Sequence, residues 1–240
     1  MKFLVNFLAS ITFTFLICLW GAIIPILYSF VFITRSSKTA DYGARVWSKF
    51  GLWMLKKICH IDHQILGAEK LPKEPFIVAC KHQSMWETLI MHVLLERPVY
   101  GYKKELLKVP FYGWYLTIMS GIKIDRKGGA SALKSLIRQA KEYIANGQNI
   151  VIFPQGTRTP IGSETSKYPY QSGIAALYLS CGVKVVPVAL NAGKFWPKQV
   201  TKKYPGKITM EFLDPIEPGL KKKEFMTKLE EMIETKSNSL

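Results

Sequence analysis

Phe76-Ile77-Val78-Ala79-Cys80-Lys81-His82-Gln83-Ser84-Met85-Trp86-Glu87-Thr88 passes from a continuous apolar run into a polar turn rich in reactive groups. Residues 76–80 have the length and composition of a buried strand. Helical spacing takes over at residues 88–95, so a strand ends and a helix begins inside this stretch. Two further apolar runs, residues 150–153 and 185–190, are bounded in the same way by turn or polar residues. Residues 130–144 carry a second helical pattern, which closes at Asn146 and Gly147 as a helix C-terminus should. Strands alternating with helices predict an α/β fold with a mainly parallel central sheet flanked by helices. The chain shows no internal repeat, and residues 221–234 read as a charged, solvated helix.

The 240 residues have room for one sizeable α/β domain and a short appendage, not for two complete domains. Lys and Arg number 33 against 17 Asp and Glu, a net charge of +16 that requires an anionic partner: nucleic acid, acidic lipid or an acidic protein. Cys18, Cys59, Cys80 and Cys181 lack C-x-x-C spacing, so they read as reduced, buried thiols and not as a zinc site or disulfide framework.

Residues 3–34 contain no charged side chain and are rich in Phe, Leu and Ile. The run is longer than the roughly 7–15 residues of a signal-peptide apolar region and is followed by no small-x-small cleavage site, so it reads as a membrane segment. Its length falls between the about 20 residues of one span and the about 40 of two. Gly21 and Pro25 can kink it, and cations flank both ends, Lys2 on one side and Arg35, Lys38, Arg45 and Lys49 on the other. The tendency of cations to stay cytoplasmic favours a bent, partly inserted hairpin over one tilted span. Residues 42–57 set Trp47, Phe50, Trp53 and Met54 among Arg45, Lys49, Lys56 and Lys57, the pattern of an amphipathic basic helix on a membrane surface. The expected organisation is a membrane anchor at 1–34, a surface helix or linker at 35–57 and an α/β domain at 58–240.

His82 stands just beyond the carboxyl end of a strand, where open α/β folds commonly bind ligands. Five helical steps of about 100° would put His82 and Glu87 about 140° apart, so a His–carboxylate pair requires His82 to precede the helix and Glu87 to reach back from its first turn. Ser84-x-x-Glu87 equally fits a capping box that only satisfies helix-end amides. His60 and His63 flank Asp62 in a metal-like cluster that reads better as an alternating strand facing solvent, and His92 reads as a helix residue. The second polar segment, Phe153-Pro154-Gln155-Gly156-Thr157-Arg158-Thr159-Pro160, again follows an apolar run. Gly156 permits close approach of a ligand, Thr157 and Thr159 offer hydroxyls, and Arg158 can grip a phosphate bidentately, although an ordinary surface turn has the same composition. Lys103-Lys104 and Lys123-Ile124-Asp125-Arg126 add basic charge. Nucleic-acid binding would want aromatics interleaved with these cations, whereas the aromatics concentrate in the N-terminal region and around residues 110–114, and no P-loop or dinucleotide fingerprint is present.

In this order, His82-x4-Glu87, the stretch 103–114, Ile124-Asp125-Arg126, residues 153–158 and Val186-Pro187-Val188 resemble the motifs of the 1-acylglycerol-3-phosphate acyltransferase family over roughly residues 40 to 215. Two departures stand out: Glu87 replaces the family's usual Asp, and Gln155 replaces the usual Glu of F-P-E-G-T-R. The resemblance implies transfer of a fatty acyl group from an acyl thioester, on coenzyme A or acyl carrier protein, to the sn-2 hydroxyl of lysophosphatidic acid. It implies His82 as base and Glu87 as its orienting carboxylate, with Arg158 binding phosphate helped by Arg126, Lys104, Gly156 and Thr157. No metal, other cofactor or nucleic-acid partner is expected. The location implied is a bacterial inner membrane with the catalytic domain on the cytoplasmic face. Another acceptor on the same fold, such as a lyso-aminolipid or glycerol 3-phosphate, is the nearest alternative. A non-catalytic basic protein binding anionic lipid or nucleic acid explains the charge but not the ordered motifs.

Overall fold

The structure is a computed structural model and describes residues 2–109, 112–124, 128–199 and 201–240. Seven strands form one sheet: β1 (Ile61–Leu66), β2 (Ile77–Cys80), β3 (Val99–Lys103), β4 (Gly121–Ile124), β5 (Ile150–Ile152), β6 (Val185–Leu190) and β7 (Gly206–Phe212). Their spatial order is β1-β7-β6-β2-β5-β3-β4. The five strands β6, β2, β5, β3 and β4 run parallel, and β7 pairs antiparallel with β6 while running parallel to β1. The sheet is thus mainly parallel, as the alternation of elements predicts. The centrally placed strands are apolar throughout because helices cover both faces.

The helices are α1 (Lys2–Leu27), α2 (Val31–Thr34), α3 (Ser37–Cys59), α4 (Trp86–Leu94), α5 (Tyr112–Leu116), α6 (Gly129–Ala145), α7 (Ser172–Cys181) and α8 (Lys222–Ser239). Alternation along β2 divides the core. Val78 and Cys80 join Phe13, Ile17, Leu52, Leu55, Leu89 and Ile90 from α1, α3 and α4, whereas Ile77 and Ala79 join Leu136, Ile174, Leu177, Phe225 and Leu229 from α6, α7 and α8.

One helix differs from its sequence reading. In α8, Phe225, Leu229 and Ile233 are fully buried, so this helix is a core element with one charged face and not a solvated tail. Helix α3 buries Ala40, Asp41, Gly43, Ala44, Ser48, Gly51, Leu52, Met54, Leu55 and Cys59 against its neighbours, leaving Tyr42, Phe50 and Trp53 exposed. Burial also divides the four free thiols: Cys59 and Cys80 are buried, Cys181 is half-buried and Cys18 is exposed.

Helix α1 includes Leu4–Leu27, a stretch long and apolar enough by length and composition to cross a membrane. It does not fold back at Gly21 or Pro25; the chain turns after Leu27, and the returning arm is α3. Cys59 Sγ donates to Ala9 O (3.6 Å), the Trp20 and Phe50 rings lie 4.7 Å apart, and those of Tyr28 and Tyr42 6.5 Å apart, so the two helices run antiparallel. A Cβ on Gly51 would stand 2.7 Å from Ile17 Cδ1, so a larger residue there would require the end of the Ile17 side chain to shift. Between β6 and β7, the buried Lys203 reaches into the same helix, donating to Thr14 Oγ1 (3.0 Å) and Ser10 O (3.5 Å) over the rings of Phe13 and Trp196 (5.0 and 5.2 Å).

Candidate active site

The turn between β2 and α4 is fixed by its own backbone. Lys81 N donates to Val188 O (3.0 Å), and His82 O accepts from both Thr159 N (2.8 Å) and Thr159 Oγ1 (3.2 Å). Gln83 Oε1 accepts from Gly193 N (3.0 Å), which ties the turn to the segment after β6. His82 therefore precedes the helix, and Glu87, in the first turn of α4, reaches back to it.

His82 Nδ1 lies 3.2 Å from Glu87 Oε1; the Glu87 side chain is fully buried, while that of His82 keeps 16% exposure. The same Oε1 accepts from Gln83 N and, at 2.7 Å, from Ser84 N. Ser84 Oγ accepts from Trp86 N at 3.2 Å. The capping arrangement and the His–carboxylate pair are thus not alternatives: one oxygen serves both. Because Oε1 is already an acceptor for two amides, Nδ1 is the donor to it, and Nε2 is left with its lone pair. The imidazole also stacks on Phe153, with centroids 4.0 Å apart and planes at 19°. Phe153 continues in near-parallel stacking onto Tyr100 (6.4 Å), which in turn packs on His92 (4.8 Å). Sequence reading singled out neither aromatic as a partner of His82; the only signal was the Phe at the head of 153–158.

Neither candidate covalent nucleophile is activated. The Cys80 thiol is fully buried, and burial, followed by the nearby Glu87 charge, holds it well above the ordinary thiol range. Ser84 is fully buried with its oxygen occupied by Trp86 N.

The strand β5 neighbours β2, so the turn that follows it emerges beside His82. Gly156 has φ +66, and its N–H donates to Phe153 O (2.8 Å), which commits that amide to the turn. Thr157 and Arg158 are half-buried, and among the described residues the Arg158 guanidinium has no hydrogen-bond or ion-pair partner. Gln155 is buried; Nε2 donates to Tyr168 O (3.3 Å), and Oε1 has no hydrogen-bond partner among the described residues. Lys104 lies exposed in the 3-10 turn Lys104–Lys108 that follows β3. Arg126 and Asp125 lie outside the described residues; the strand leading to them, β4, ends at Ile124.

Of the other histidines, His63 is in the edge strand β1 and packs on Trp86 at 5.7 Å, while Asp62 pairs with Lys56 at 2.8 Å. Among the described residues no cluster of three or more His, Cys, Asp or Glu is arranged to hold a metal ion.

At one end of the sheet stand a histidine just beyond β2, a buried carboxylate on its Nδ1 and, on the turn after the neighbouring strand β5, a guanidinium with no partner among the described residues. The acyltransferase family model matches residues 62–191, and the chain belongs to that family. A 1-acyl-sn-glycerol-3-phosphate acyltransferase of Pseudomonas aeruginosa is 39% identical over 162 residues, which are 68% of this chain and 62% of that protein. One of Saccharomyces cerevisiae is 27% identical over 139 residues, 58% of this chain and 46% of that protein. The chain thus spans less than two thirds of either relative. The crystal structure of the 1-acyl-sn-glycerophosphate (LPA) acyltransferase, PlsC, from Thermotoga maritima has the same fold, with a TM-score of 0.75 over 100% of this chain and 99% of that one, at 24% sequence identity.

Proposed function

We propose that the protein transfers a fatty acyl group from an acyl thioester to the sn-2 hydroxyl of 1-acyl-glycerol-3-phosphate, forming phosphatidic acid. The observation that carries this reading is the His82–Glu87 pair, 3.2 Å apart and anchored by two backbone amides on the same oxygen. Nε2 of His82 takes the proton of the lipid hydroxyl as its oxygen attacks the thioester carbonyl, and Glu87 stabilises the imidazolium that forms. Collapse of the tetrahedral intermediate expels the thiolate, which recovers the proton from His82. The transfer is direct, with no acyl-enzyme, in keeping with the buried states of Cys80 and Ser84. Arg158 binds the acceptor's phosphate as a bidentate, charge-assisted partner, with Lys104, Arg126 and Thr157 assisting. Acyl carrier protein or coenzyme A supplies the thioester; both are anionic, and the +16 chain suits either. The chemistry needs no other cofactor, and the basic charge is assigned to lipid and donor, not to nucleic acid.

The α1–α3 hairpin is the membrane-facing part. Leu4, Val5, Leu8, Phe15, Ile26, Leu27 and Ile33 are exposed on it, and the exposed aromatics Tyr42 and Trp53 stand near Arg45 and Lys49 as interfacial anchors do. The contact of Lys203 with Ser10 and Thr14 favours insertion from one side over a span, since a crossing α1 would carry a charged residue of the catalytic domain to mid-bilayer depth. On this reading the N-terminus and the catalytic domain share the cytoplasmic face of a bacterial inner membrane. Purified protein incubated with lysophosphatidic acid, lyso-aminolipid or glycerol 3-phosphate, each with both donors, tests the assignment; it fails if lysophosphatidic acid is not the best acceptor.

A further inference from the structure

The carboxylate of Glu234, on α8, joins two segments that have no sequence proximity to it. Its two oxygens lie 2.5 and 2.6 Å from the Lys81 Nζ, and Oε1 also accepts from the Tyr170 hydroxyl at 2.9 Å. Lys81 keeps only 4% exposure and Tyr170 8%. An ammonium so buried is costly unless paired, and removing one partner of such a pair leaves an uncompensated charge. The Tyr170 hydroxyl is held well above the ordinary phenol range by burial and by the Glu234 charge, so it is a fixed donor.

What the two ends of this bridge carry gives it significance. Lys81 is the base of the His82 turn. Tyr170 lies at the neck of the loop that carries Arg158, where Gln171 N donates to Pro154 O (2.9 Å) and Gln155 Nε2 to Tyr168 O (3.3 Å), so the two stems of that loop stand side by side. Thr159 already ties the loop to His82 O at one point. That tie and the stacking of Phe153 on His82 hold the stem after β5, whereas Glu234 ties the returning stem, at the neck.

We propose that Glu234 is a positioning residue for acyl transfer, fixing the neck of the Arg158 loop against the base of the His82 turn so that phosphate grip and proton abstraction act on the same acceptor. The inference rests on the acyl transfer proposed above. Glu234 lies outside the matched residues 62–191, in a helix whose charged face carries no other sign of function.

The test uses full-length protein in detergent micelles, measuring kcat and KM with lysophosphatidic acid and with monoacylglycerol, which lacks the phosphate, alongside thermal unfolding. Because displacements near 1 Å can cost up to about a hundredfold in rate, Glu234→Gln should lower kcat/KM for lysophosphatidic acid roughly tenfold. The rate with monoacylglycerol should fall less, so the preference for the phosphorylated acceptor shrinks. Tyr170→Phe, which removes one hydroxyl and little else, should move the same preference in the same direction by about twofold to threefold at near-native Tm. An unchanged acceptor preference in both variants, with activity merely following Tm, would reduce Glu234 to a structural ion pair and overturn the proposal. Wild-type protein inactive on both acceptors would instead overturn the functional reading, and this inference with it.

Discussion

Glu87 concentrates three donors on one oxygen, the imidazole and two amides, while Oε2 is buried with no hydrogen-bond partner among the described residues. An amide at this position keeps an acceptor oxygen for the same donors but not the charge that stabilises the imidazolium. Glu87→Gln is therefore expected to lower kcat at least tenfold while Tm moves by only a few degrees, a combination that separates chemistry from capping. Spacing alone allowed both contacts in residues 82–87, yet it could not show that they share an atom, because sequence specifies residues and not which oxygen faces which donor. His92 offers a different test. Burial pushes its imidazole down to about 4, so between pH 6.5 and 4 the unfolded chain binds a proton that the folded chain does not, and stability falls as pH falls through that window. By pH 5 this costs the wild type about 1–2 kcal/mol relative to pH 7. His92→Gln should flatten the dependence, and unfolding midpoints at pH 7 and pH 5 measure it.

At the level of elements, the loop after β5 has Arg158 half-buried and unpaired within the described residues, next to the tie at Thr159 in a loop tied again at its far stem by Tyr170. Arg158→Lys keeps the charge but loses the fork, so it should raise KM for lysophosphatidic acid several-fold, and Arg158→Ala more, with monoacylglycerol insensitive to either. Equal losses on both acceptors would point to a structural role for the turn. The strands β2, β5 and β6 were plain in the sequence because each is a continuous apolar run buried on both faces. β3 and β4 were not, since glycines and lysines interrupt them, and β7 alternates Ile208, Met210 and Phe212 with exposed or half-buried residues after a lysine-rich stretch. The burial of α8 was legible in principle: Phe225, Leu229 and Ile233 recur every four residues. Their signal was masked by the charges between them.

Over the whole molecule, composition located the apolar N-terminal run but not what it touches. Phe13 and Ile17 are part of the core under the sheet, and Lys203 reaches α1 from the segment between β6 and β7, contacts that no local pattern in residues 3–34 encodes. Deleting residues 1–34 should therefore do more than weaken membrane association. By uncovering Phe13's and Ile17's sites it should lower thermal stability in detergent as well, by the several kcal/mol that emptying two buried apolar sites costs. For one-sided insertion, a cysteine beside Lys2 in a Cys-free background should resist an impermeant thiol reagent in intact cells; labelling from outside would establish a span. The most direct measurement is acyl transfer itself. Purified full-length protein given lysophosphatidic acid and an acyl thioester should form phosphatidic acid, and His82→Ala, folded and micelle-bound like the wild type, should form none; transfer by His82→Ala at the wild-type rate would contradict the mechanism.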